Sequence, residues 1–124
     1  MGNRSYAAIL ALLMFLSGCN KDKPNWYAEA RSPDGAMLVT AITWEQGGFG
    51  TDTNQTVVRM NWTTGSQKPT IILIFDDQVD GTVDTKVGMK WLNPHRLALT
   101  YTGDRYVNFF ATRCDGVDIT LERH

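Results

Sequence analysis

Cysteine and histidine are almost missing from this chain, which holds two of each in 124 residues. His95 follows a proline and His124 ends the sequence, so neither has the neighbouring ligands that a zinc site requires. Beyond residue 18 the serines are Ser32 and Ser66, which leaves little from which to build a Ser-His-Asp arrangement. The glutamates Glu29, Glu45 and Glu122 are spread along the chain, so a carboxylate pair would have to come from the fold. No catalytic residue, metal or cofactor is assigned, and an enzyme is not expected. There is no basic run or stripe either, and a nucleic-acid partner would normally need one. Long apolar runs are absent too. The longest is Ala7 to Leu16, AAILALLMFL. Ten helical residues span about 15 Å, half of a hydrocarbon core of about 30 Å, so this run is too short for a permanent membrane helix.

What is present at the N-terminus is an export pattern. Arg4 supplies a positive start, Ala7–Leu16 a short apolar core, and Ser17 and Gly18 a small-residue exit, which together describe a secretory signal peptide. The four residues Leu16-Ser17-Gly18-Cys19 resemble the lipobox of bacterial lipoproteins. The resemblance implies cleavage before Cys19, a diacylglycerol on its thiol and usually an acyl group on the new amine. It therefore implies residues 1–18 as signal peptide, 19–25 as a lipidated tether and 26–124 as the domain. With two or three acyl chains the attachment would be effectively permanent, since each buried CH2 contributes about 0.8 kcal/mol. Asn20 is not the aspartate that retains such proteins in the inner membrane of enterobacteria-like cells. The expected location is thus the outer membrane, facing the periplasm. The tether, NKDKPN, has six residues. Fully extended it reaches about 20 Å, so the domain rides close to the bilayer.

Loss of residues 1–18 leaves 106, enough for one small domain, and removal of Arg4 takes the formal charge from −1 to −2. Four Trp, three Tyr and four Phe remain, ample for a packed core. From Trp26 onward the apolar period is two. Val83–Trp91 alternates cleanly, as do Val58, Met60 and Trp62, then Leu97, Leu99 and Tyr101, then Val117, Ile119 and Leu121. Thr70–Phe75, TIILIF, reads as a central strand covered on both faces. Turn chemistry separates these runs at Ser32-Pro33-Asp34-Gly35, Asp76–Thr82, Asn93-Pro94-His95, Thr102–Arg105 and Asp115-Gly116. The expectation is a mainly β, single antiparallel domain of seven or eight short strands, a sandwich or a curled sheet.

The SPDG hairpin resembles turns in bacterial β-propeller blades, but four blades of about 40 residues exceed this length. With the lipobox, the order of SPDG, a Gly-rich loop and a WL strand is similar to small β-rich envelope lipoproteins, a resemblance that transfers no activity. Three features remain as candidates. The acidic stretch Asp76–Asp84 places Asp76, Asp80 and Asp84 at calcium-loop positions one, five and nine, but Val87 stands where the bidentate glutamate belongs, so it reads as a solvated turn. The Gly-rich loop carries Phe49 among Gly47, Gly48 and Gly50, an aromatic that suits a contact with a partner. Cys114 has no intramolecular partner once Cys19 is lipidated, and the alternation Phe110, Thr112, Cys114 makes it a buried, inert thiol on one strand. If cleavage left Cys19 in place but unlipidated, a Cys19–Cys114 disulfide in a secreted domain would be the alternative. The functional expectation is a membrane-anchored, non-enzymatic module that binds an envelope protein or a glycan. The alternatives are an assembly accessory acting through an oligomer, by strand edges or Cys114, and a small hydrolase inhibitor.

Overall fold

The computed structural model of the chain describes residues 24–46, 53–78 and 84–124. These form nine strands: β1 (Trp26–Arg31), β2 (Met37–Gln46), β3 (Thr53–Trp62), β4 (Thr70–Gln78), β5 (Gly88–Asn93), β6 (Arg96–Tyr101), β7 (Val107–Phe110), β8 (Arg113–Cys114) and β9 (Val117–Arg123). No helix occurs among the described residues. The strands make two sheets, one ordered β1-β2-β3-β4-β7 and the other β5-β6-β9-β8.

Period-two patterning decides which side chains go between the sheets. Met37, Val39 and Ala41 of β2 meet Val58 and Met60 of β3, Leu73 and Phe75 of β4, and from the other sheet Leu97, Leu99, Val117 and Ile119, in one buried cluster. Trp91 of β5 closes the sandwich at one edge, donating from its indole Nε1 to the carbonyl of Ala30 on β1 at 3.2 Å.

The expected mainly β fold stands, with corrections in detail. There are nine strands rather than seven or eight, and β6 and β9 run parallel, Leu97 opposite Ile119 and Leu99 opposite Leu121. Parallel neighbours cannot share a tight turn. The chain between them crosses to the first sheet as β7 and returns as β8, so the Phe110–Cys114 run is not one strand face but a change of sheet at Ala111 and Thr112. Of the Val83–Trp91 run, Val83 lies outside the described residues and the strand starts at Gly88, the carbonyls of Thr85 and Lys86 accepting hydrogen bonds from Arg105. TIILIF is not covered on both faces throughout. Val58 pairs with Leu73 but Arg59 with Ile71, which makes Ile72 a bulged residue. Ile72 and Leu73 are both fully buried as a result, while Ile71 is 38% exposed. Asp76 and Asp77, read as the start of a turn, lie on β4.

The SPDG turn forms as its chemistry predicts. Gly35 takes φ 74°, its N–H bonding the carbonyl of Ser32 at 2.9 Å. The Asp34 carboxylate accepts from the Ser32 hydroxyl at 2.7 Å and from the Ala36 N–H at 3.1 Å. The Ser32 bond first, and then the Ala36 bond, hold the Asp34 carboxyl below the usual carboxylate range. A depressed folded-state value means that the contribution is complete above the unfolded value and is lost as pH falls through the folded one. Asp34→Ala should therefore unfold earlier than the parent in urea at pH 7, and the two curves should converge below the ordinary carboxylate range. A gap that persisted unchanged into strong acid would remove the carboxylate from the explanation.

Candidate functional site

The largest concentration of buried polar chemistry lies where β3, β4 and the β6–β7 connection meet. Parity along β4 sends Leu73, Phe75 and Asp77 inward together, so Asp77 enters the core and is only 4% exposed. Arg105 reaches it from the connection, with its side chain fully buried. Its Nε and Nη2 both donate to Asp77 Oδ2, at 2.9 and 2.6 Å. Nη2 also donates to Thr56 Oγ1 at 2.8 Å, and Thr56 shares a 2.8 Å hydroxyl bond with Thr43 on β2. Nη1 holds the carbonyls of Thr85 and Lys86 at 3.2 and 3.4 Å. The guanidinium carbon lies 3.9 Å over the Phe75 ring, which in turn packs on Tyr101 at 4.9 Å between centroids.

This network joins β3, β4 and the approach to β5. Asp77 Oδ1 and, opposite it on β3, Asn54 Oδ1 are buried without a hydrogen bond from the protein. Two such oxygens are too few for a metal, and the Arg105 charge on the same carboxylate repels a second cation. Among the described residues no group of three metal-ligating side chains is found. Ser32, Asp34 and His95 do come near one another, since the His95 charge acts, as the smallest cause, on Asp34. They make no triad: the Ser32 hydroxyl bonds Asp34 directly and accepts from the Met37 N–H at 3.0 Å, with no imidazole between. An open concavity of about 210 Å³ on the second sheet, lined by Leu92, Arg96, Leu97, Asp118 and Thr120, is smaller than the roughly 300 Å³ at which small-molecule pockets begin.

The outer face of the five-stranded sheet offers a different kind of site. The registers chain together into a single row across all five strands, Tyr27 opposite Ile42, Ile42 opposite Val57, Val57 opposite Ile74 and Ile74 opposite Phe109. Every member is apolar or aromatic. Its two ends are open, Tyr27 at 51% and Phe109 at 45% exposure. Beside it on β4 and β7, Asp76 accepts from Gln55 Nε2 at 3.1 Å and from Asn108 Nδ2. Arg59 and Glu29 sit in the next row, and Glu29 accepts from the Tyr27 hydroxyl at 2.8 Å.

Of the residues singled out from sequence, Cys19, Gly47, Gly48, Phe49 and Gly50 lie outside the described residues, as does Asp80. Asp76 and Asp84 are not brought together as calcium ligands: Asp76 is held by Gln55 and Asn108, while Asp84 accepts from the Lys86 N–H at 3.1 Å. Cys114 is half-buried rather than buried, and desolvation first, then the Asp115 carboxylate, pushes its thiol up. Sequence reasoning missed Arg105 and the apolar row. No family model, curated protein or solved structure matches this chain.

Breaking a buried pair strands the surviving charge, whereas replacing both partners by apolar groups is far less costly. Arg105→Met should lower unfolding stability by about 3–5 kcal/mol. Asp77→Leu combined with Arg105→Met should recover a large part of that loss in urea denaturation. A single variant within ~1 kcal/mol of the parent would mean that the pair does not hold the sheets together.

Proposed function

We propose that this chain is a lipid-anchored lipoprotein of the bacterial envelope whose β-domain binds a protein or a glycan close to the membrane surface without catalysing a reaction. The observation that carries the reading is Leu16-Ser17-Gly18-Cys19 directly after the apolar run Ala7–Leu16, with a polar tether of six residues behind it. The two-sheet domain beginning at Trp26 is consistent with that order. The scarcity of histidine and serine supports a binding role. The remaining serines and histidines include Ser32, spent on the SPDG turn, and His95, in the β5–β6 turn where its N–H bonds Asn93 Oδ1 at 2.8 Å. The outer membrane is the favoured site because Asn20, and not aspartate, follows the cysteine. A disulfide-linked oligomer through Cys114 is less favoured, since a thiol pushed above its ordinary value is a poorer nucleophile for exchange at neutral pH.

Intact mass of the protein extracted from membranes, with and without thiol alkylation, tests the anchor. The expected species begins at Cys19, carries two or three acyl groups and takes one alkyl label, on Cys114. Cys19→Ala should move the protein to the soluble fraction. An unacylated product with no alkylatable thiol would replace this reading with a secreted domain closed by a Cys19–Cys114 disulfide.

A further inference from the structure

We propose that the outer face of the five-stranded sheet lies directly against the lipid bilayer through the exposed side chains Tyr27, Ile71 and Phe109, with the buried Val57 at the centre of the row beneath them. This inference rests on the lipid-anchor reading above and adds an orientation to it. Four inter-strand steps of about 4.8 Å make the row roughly 19 Å long, a strip built by register alone.

The row crosses the middle of β2, β3 and β4, and its Tyr27 end lies where the tether arrives. The N–H of Asn25 bonds the Thr43 carbonyl at 2.8 Å, which pins the last tether residue beside the start of β1, and Tyr27 is the first outward residue beyond it. A tether reaching about 20 Å from the acylated residue keeps this end of the sheet within reach of the headgroups. The opposite end of the same face carries Arg31 and, on the row between, Glu29 and Arg59. Tyr27 is thus near the anchor, with Asp76 on the tether side of the row and Arg31, Glu29 and Arg59 on its other side.

The available area decides between the bilayer and a protein partner. Tyr27, Ile71 and Phe109 are 51, 38 and 45% exposed. At 150–250 Å² for a whole aromatic side chain, each open aromatic end presents about 100 Å². The three together fall well short of the roughly 800 Å² that each partner contributes to a stable protein interface. A surface to which the chain is already tied needs much less, because the tether makes the contact intramolecular at an effective concentration in the millimolar range. Polar chemistry on the face agrees. The carboxylates of Glu29 and Asp76 are occupied by Tyr27, Gln55 and Asn108. Among the described residues Arg59 and Arg31 form no ion pair, which suits anionic headgroups. Tyr27, with an apolar ring and a polar tip, is a side chain that settles at a membrane interface.

The test uses the full acylated protein purified from membranes and placed in phosphatidylethanolamine–phosphatidylglycerol vesicles. These contain a phospholipid with a diazirine near the headgroup. The mass at Cys19 is read first, then the labelled residues are mapped. The expected result is labelling concentrated on Tyr27, Ile71 and Phe109, falling at least fivefold in Tyr27→Ser/Phe109→Ser while acylation and cooperative unfolding are unchanged. Arg59→Glu, a separate change at an exposed position of the same face, should lower labelling as well. Acylated protein labelled only along residues 20–25 would overturn the orientation and leave the anchor intact. So would a crosslink joining this face to a second copy or to another protein. Absence of acyl groups at Cys19 would overturn both readings together.

Discussion

Arg105 is the side chain on which the rest of the sandwich depends, because it is the polar tie among four separate pieces of chain. One guanidinium bonds β4 through Asp77, β3 through Thr56 and the approach to β5 through two carbonyls, and it stacks on Phe75 at the centre of the core. Strands within a sheet are held by their ladders. Among the described residues no ladder fixes one sheet over the other; apolar contact is non-directional, and at the edge Trp91 adds one hydrogen bond to Ala30. A planar, five-donor group in a dry site supplies direction. Its desolvation is costly, so the arrangement holds only because every arm finds an acceptor or a ring.

That joint has consequences for both faces of the first sheet. Inward parity from Leu73 through Phe75 to Asp77 places the carboxylate beside the core, and the bulge at Ile72 buries Ile72 and Leu73 together while turning Ile71 outward. The outward parity left over puts Tyr27, Ile42, Val57, Ile74 and Phe109 in line. Val57, at the centre of that row, is buried, while Tyr27 and Phe109 at its ends are open. The tether's entry beside β1 is what connects those open ends to the proposed membrane contact.

Much of the fold was legible. Alternation in Val58–Trp62, Leu97–Tyr101 and Val117–Leu121 reports half-buried strands because side chains on a strand must alternate faces. The SPDG and Asp115-Gly116 pairs report turns because left-handed φ is confined to few residue types, and Asp115 and Gly116 do take φ 48° and 77°. Asp77 was half legible: its parity with Leu73 and Phe75 pointed inward, but the acidic, glycine-containing composition that follows reads as a solvated turn. Arg105 was not legible at all, since a turn residue has no period and its partners lie 28 and 49 positions away.

The sequence by itself determined the strand period and the turns, because each of these is set by neighbours a few residues apart. Only the tertiary structure decided which strands share a sheet, that β6 and β9 run parallel, which buried charge meets which carboxylate, and that five apolar residues on five strands form one row. Those features depend on register and on the crossing of the chain between sheets, which couple positions far apart in sequence and leave no local trace.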